Sequence, residues 1–159
     1  MIFGGYKRVH SHPLLRSLHP SFVVSVLGSV VCMQGFVGNI EKMTLENKAF
    51  RRVLFTGVHE QLVVMSLLPN EEIGMEVHTT HDQFFRIEKG DVKIIIDGKV
   101  STLNDGGAAI VPAGAQHNVI NTSNTNELKL YTIYSPPQHP RNTIHTTKKE
   151  ADEAEKAHH

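Results

Sequence analysis

Six residues in the middle of the chain have the types and spacing to do chemistry together: Glu76, His78, His81, Gln83, His117 and, further on, Tyr134. Glu76 and His78 are separated by one residue, so in a strand both side chains leave the same face. Gln83, Phe85 and Ile87 form a second alternating set, with Phe84, Arg86 and Glu88 facing the other way. His117 follows the turn Pro112-Ala113-Gly114 and opens another alternating segment that runs to Asn121. If these strands curl around one interior, a carboxylate, two imidazoles and an amide oxygen converge there. Such donors suit a divalent manganese, iron, nickel or zinc ion, and two histidines with one carboxylate match the donor set of non-haem iron sites. The bland alternative is a metal-free polar cavity in which the same groups hydrogen-bond one another.

The elements that must hold these residues read as strands. Phe50 to Phe55 and Gln61 to Leu67 are rich in β-formers. They are separated by Thr56-Gly57, and Pro69-Asn70 comes after the second, both carrying residues that turns use. Val92 to Asp97 is closed by Asp97-Gly98, a strong hairpin signal. Val100 to Leu103, Ala108 to Val111 and Leu128 to Tyr134 complete the set, and Pro136-Pro137 stops the last strand. Short strands at close spacing with little helix predict an all-β antiparallel barrel or sandwich.

On those residues the chain resembles the cupins. Gly106, Pro112, Gly114, His117 and Asn121 stand at every fixed position of the second cupin motif, G-x5-P-x-G-x2-H-x3-N. The stretch ending at Gly90 resembles the first motif with substitutions: Gln83 stands at the glutamate position, His78 at the second histidine and Glu76 at the first histidine. The resemblance implies a jelly-roll barrel, a homodimer, a metal held by Glu76, His78, Gln83 and His117, and a small polar ligand. The usual set of three histidines and one glutamate contributes one negative charge, and so does the substituted set. From about Gly38 onward the chain looks like small cupins labelled mannose-6-phosphate-isomerase-like, a similarity that names no substrate.

Around this centre, two residues are candidates for acid–base work. His81, in the loop before Gln83, reads as a ligand, a proton carrier or an exposed loop histidine. Tyr134 points inward if Lys129 points to water, and then lines the cavity mouth or packs in the core. Arg52 and Arg86 are basic residues within strands, where burial would demand a partner. By parity with Gln83, Arg86 faces away from the interior. The apolar stretch Phe50 to Phe55 reads as an unpaired edge that a second copy would cover.

Composition narrows the rest. The chain has 159 residues, enough for one domain with a usable core. Its 16 basic and 16 acidic residues balance, which gives no reason to expect a nucleic-acid partner. The single Cys32 excludes an intrachain disulfide framework and fits a reducing compartment or a redox-indifferent protein. The expected location is cytoplasmic unless the N-terminal segment targets the chain elsewhere. No apolar run is long enough for a membrane span. No nucleophile elbow, phosphate-cradling loop or nucleotide fingerprint occurs. Residues 1–34 differ in character from the rest of the chain: basic residues precede the apolar run Phe22 to Cys32, which reads as a targeting segment, a variable extension or translation upstream of Met33. The expected barrel covers 35–140. The polar tail 141–159 reads as a short exposed helix or a frayed end, begun by Thr147-Lys148-Lys149-Glu150 with capping-box spacing. Three functions stay open at this point: a metal-dependent enzyme for a small metabolite, a small-molecule-binding barrel, or a structural barrel without metal.

Overall fold

The computed structural model describes residues 35–157; the expectations for the segment 1–34 and for His158-His159 lie outside the described residues. The strands of the described residues form two antiparallel sheets. In chain order the strands are β1 (Arg51–Thr56), β2 (Gln61–Leu67), β3 (Glu76–Val77), β4 (Asp82–Lys89) and β5 (Val92–Ile96). They continue as β6 (Lys99–Leu103), β7 (Ala108–Val111), β8 (Gln116–Asn121), β9 (Leu128–Ser135) and β10 (Ile144–His145). Helix α1 (Ile40–Glu46) precedes them and α2 (Lys148–Lys156) closes the chain order. One sheet has the order β10-β1-β2-β9-β4-β7 and the other β3-β8-β5-β6, the jelly-roll arrangement expected.

Alternation along each strand decides which residues fill the interior. On β4, Gln83, Phe85 and Ile87 are buried while Phe84, Arg86 and Glu88 are only partly so. On β9, Leu128, Leu130, Thr132 and Tyr134 point inward. The core is continuous, with Val63, Met65, Leu67, Phe85, Ile87, Ile94, Val119 and Leu130 all essentially excluded from solvent. The Asp97-Gly98 hairpin forms as its sequence demands: both residues have positive φ, 46° and 76°, which the tight turn requires.

Three local expectations give way. Lys129 does not point to water. It lies under α1, where its ammonium donates to Asn47 O and Ser66 Oγ, both at 2.7 Å, and pairs with Glu127 at 2.6 Å. The parity of β9 still holds, because the outer face of this sheet is itself covered at that end. The stretch at Phe50 to Phe55 is not an edge: β1 is paired with β2 on one side and with β10 on the other. The tail after 140 forms the expected short helix, α2, but is not free of the barrel. Ile144–His145 extend the larger sheet, Thr147 caps α2 by accepting from Glu150 N, and Ala151 is buried against the core. A polar helix docks here because its buried Ala151 and its Glu155 both find partners in the fold.

Candidate metal centre

The two halves of the central stretch are tied together by backbone. Gly114 N donates to His78 O at 2.9 Å, and Ala113 N donates to Asp82 Oδ1 at 2.8 Å. Gly114 makes that turn with φ +85°, a conformation side-chain-bearing residues resist. β3 then pairs with β8 in a register that sets Glu76 directly opposite His117. Asn121, the last fixed residue of the second motif, is structural: its amide donates to Leu67 O, Leu68 O and Asn126 O.

This framework brings Glu76, His78 and His117 together, with one ligand atom from each lying within 4.8 Å of the others. Glu76 Oε2 is 3.3 Å from His78 Nε2 and 3.9 Å from His117 Nε2. Gln83 is fully buried beside them, its Oε1 3.0 Å from His117 Nε2 and its amide donating to Thr132 Oγ1 at 3.1 Å. Burial holds the His117 pKa below the ordinary histidine value, so the ring is neutral and carries one N–H. With that proton on Nδ1, 3.3 Å from Ala115 O, Nε2 presents a lone pair toward Gln83 Oε1 and Glu76. With the proton on Nε2, the amide of Gln83 accepts it and closes the site.

A metal ion fits these residues on a specific observation. Glu76 Oε2 and His78 Nε2 are buried and have no hydrogen-bond partner among the described residues; their 3.3 Å approach lacks hydrogen-bond geometry. Buried polar atoms are normally paired, and a carboxylate oxygen facing an imidazole nitrogen with no hydrogen bond between them is what a shared cation would reconcile. The cavity in front of them has a volume of about 740 Å³ and is walled by Met75, Glu76, Val77, His78, Gln138, His139, Pro140 and Glu155.

The other candidates sit around this group. His81 is outside it: its ring lies 6.0 Å from that of His78, with Nδ1 3.0 Å from Thr80 Oγ1 and Nε2 3.3 Å from Pro137 O. Tyr134 is buried at 1 % exposure, edge-on to His78 at 5.7 Å and to His139 at 5.0 Å. Burial, reinforced by Glu76, raises its hydroxyl pKa and keeps it protonated. Arg86 faces outward, 39 % exposed.

Sequence reasoning missed three residues near the centre. It singled out Arg52, which is exposed, and passed over Arg51, which is 2 % exposed and reaches inward. Arg51 shares its face with the apolar Val53, and that alternation was the available signal, before a register shift turns Phe55 to the face of Leu62. Its Nη1 pairs with Glu155 at 2.6 Å and its Nη2 lies 3.8 Å from Glu76 Oε1. Burial opposes its charge, but Tyr134, Glu155 and Glu76 outweigh it and hold its pKa above the ordinary value. His139 and Glu155, both beyond the last long strand, also wall the cavity. Burial and the Arg51 charge press the His139 pKa down to about 3, so this ring is neutral.

With the geometry in hand, similarity to known proteins can be weighed. Residues 63–134 match the family model described as a cupin domain. The chain is 48 % identical over 126 residues to the uncharacterized protein YrkC of Bacillus subtilis, covering 76 % of this chain and 67 % of that one. It is also 48 % identical over 115 residues to the uncharacterized protein L612 of Acanthamoeba polyphaga mimivirus, covering 70 % and 71 %. Among solved structures, BH2720 of Bacillus halodurans superposes with a TM-score of 0.73 at 44 % identity, over 76 % of this chain and 95 % of that one. An RmlC-like cupin of Shewanella frigidimarina, at 20 % identity and a TM-score of 0.52 over 56 % and 77 %, shares the fold alone.

Proposed function

The chain belongs to the cupin family, and from that premise we propose that it holds one divalent transition metal through Glu76, His78, Gln83 and His117 and uses it on a small polar metabolite. The observation that carries the reading is the pair of buried, unpartnered atoms Glu76 Oε2 and His78 Nε2 beside His117. One charged carboxylate with two neutral imidazoles and an amide oxygen favours manganese, iron, nickel or zinc over the harder magnesium or calcium. When bound, such an ion supplies Lewis-acid polarisation of a ligand carbonyl or hydroxyl oxygen.

The chain's own residues would then do three things. Glu76, which opens β3, and His78, which follows its last residue, fix the open side of the site toward the cavity. Gln83, anchored by Thr132, orients from the buried side. Tyr134, kept protonated by burial, would offer an O–H donor, and His81 at the loop is the group available to carry a proton to and from solvent. A cavity of about 740 Å³ is in the range for a small metabolite and well short of a macromolecular groove. Sugar-isomerase-like and oxygenase-like chemistry both suit these groups, as does binding without turnover.

The reading extends to a homodimer in a reducing, cytoplasmic compartment. Support for the dimer lies on the outer face of the larger sheet, where Ile110, Phe84, Ile133 and Leu62 are successive register partners and Ile110 is 67 % exposed. Light scattering giving a monomer at micromolar concentration removes that part. Among the described residues no helix is long and apolar enough to cross a membrane.

Thermal unfolding with added metal tests the site. A ligand that binds the folded state alone stabilises it by about 2.7 kcal/mol at a hundredfold excess over Kd, and the melting temperature rises with its concentration. Wild type should show the rise and the His117→Ala variant should not. Equal behaviour of the two with manganese, iron, nickel and zinc would remove His117 from the ligand set.

A further inference from the structure

We propose that Arg51 and Glu155 form a charge clasp that couples docking of the C-terminal helix to the metal centre, which makes Glu155 a positioning residue for Glu76. The inference rests on the metal reading above and adds residues that neither cupin motif contains.

Glu76 has its two oxygens in different places. Oε2 faces His78 Nε2 at 3.3 Å and His117 Nε2 at 3.9 Å, while Oε1 faces the Arg51 guanidinium at 3.8 Å. Arg51 is almost completely buried, so its charge requires a nearby anion, and two carboxylates compete for it. Glu155 holds the better position, 2.6 Å from Nη1, and is donated from the last turn of α2, whose other anchor in the core is Ala151. Arg51 Nε has no partner among the described residues, so the guanidinium has donor capacity to spare. Glu155 is half exposed and walls the same cavity as Glu76 and His78, which puts helix, clasp and centre along one wall.

The direction of coupling comes from charge. A guanidinium held by Glu155 leaves Glu76 free to serve a cation. A guanidinium released by Glu155 turns to Glu76, the other carboxylate near it among the described residues, and competes with the metal for that carboxylate. Conversely, a metal engaging Glu76 repels Arg51 and strengthens its pairing with Glu155, so metal binding tightens the helix; linkage requires the two effects to be equal.

The test is a double-mutant cycle on the full chain, with zinc(II) affinity read by competition with a chromophoric chelator. Glu155→Gln should weaken zinc binding by about 10-fold or more, the range seen when partners of metal ligands are lost. Arg51→Met should not weaken it, because the competitor for Glu76 is gone, and in that background Glu155→Gln should have no further effect. Arg51→Lys, a point charge without the planar fork, keeps the protein charge-matched if the methionine variant folds poorly, and should retain sensitivity to Glu155→Gln. Hydrogen exchange supplies a readout free of metal affinity: zinc should slow exchange in 148–156 in wild type but not in Glu155→Gln. Equal zinc affinity of wild type and Glu155→Gln overturns the clasp and leaves the metal reading intact. An unchanged Glu155→Gln effect in the Arg51→Met background also overturns the clasp. Absence of zinc binding by wild type overturns both.

Discussion

The two ends of the barrel are built from the same strands and differ in what those strands point inward. On β9 the inward residues run Leu128, Leu130, then Thr132 and Tyr134. On β2 they run Leu67, Met65, Val63, then Gln61, and on β4 Ile87, Phe85, then Gln83. One end is therefore dry and close-packed, and the other is a buried polar set that opens into the cavity. Burial is equally complete at both: Gln61, Gln83 and Thr132 are as excluded from solvent as Leu130. What differs is satisfaction. The polar end bonds its own members, with Gln61 donating to Thr56 Oγ1 and His139 O, and Gln83 to Thr132. Among the described residues, the buried atoms it leaves over include Glu76 Oε2 and His78 Nε2, with Arg51 Nε and His139 Nε2 beside them. The dry end supplies the stability, and the polar end carries unpaired groups that are costly unless something binds them.

The largest break in this comparison is at the dry end. Phe85→Ala removes a fully buried ring and should cost about 3–5 kcal/mol, measured as a lower urea midpoint at unchanged m-value. The variant should still show its metal-dependent rise in melting temperature. Loss of that rise with folding intact would mean that the two ends are not separable.

At the polar end, Gln83→Glu sharpens the contrast. A second carboxylate should tighten metal binding, while without metal the added buried charge should lower stability by several kcal/mol. Gln83→Ala should weaken metal binding by less than His117→Ala, since a neutral amide contributes little charge. Calorimetric titration of the three variants ranks them, and a Gln83→Glu variant that binds metal more weakly than wild type would exclude Gln83 from the site.

The smallest effect is a pH dependence. The folded pKa of His139 is depressed to about 3, below the ordinary histidine value of about 6.5. The unfolded chain therefore binds a proton at higher pH than the folded chain does. Stability from this residue is intact above about pH 6.5 and is lost progressively as pH falls toward 3. His139→Phe, which cannot be protonated, should unfold less readily than wild type between about pH 6 and 4, relative to each protein at about pH 7.5. Parallel acid profiles for the two would contradict the depressed pKa.

Much of this was legible in the sequence, because the features that set the fold are local. Asp97-Gly98 accepts the positive φ angles of its hairpin, Gly114 does the same at the turn before His117, and alternation on β4 separates Gln83 from Arg86. Period-two patterning also sets Glu76 and His78 on one face. The parts that stayed hidden depend on distant chain. Lys129 looked solvent-facing because its strand alternates, and only α1 laid across that face makes it buried. Arg51 was passed over because the partner of its charge, Glu155, lies 104 positions away. The tail looked free because its composition is polar. Its docking rests on one alanine and one ion pair, too little to leave a periodic signature.

The most direct measurement is elemental analysis of the wild-type chain, produced without a metal-affinity step and then exposed in turn to manganese, iron, nickel and zinc before desalting. The account predicts one retained ion per chain for at least one of these metals, and none in His117→Ala. A folded wild-type protein that retains no metal under all four conditions would contradict it, and the buried atoms of Glu76 and His78 would then need another partner.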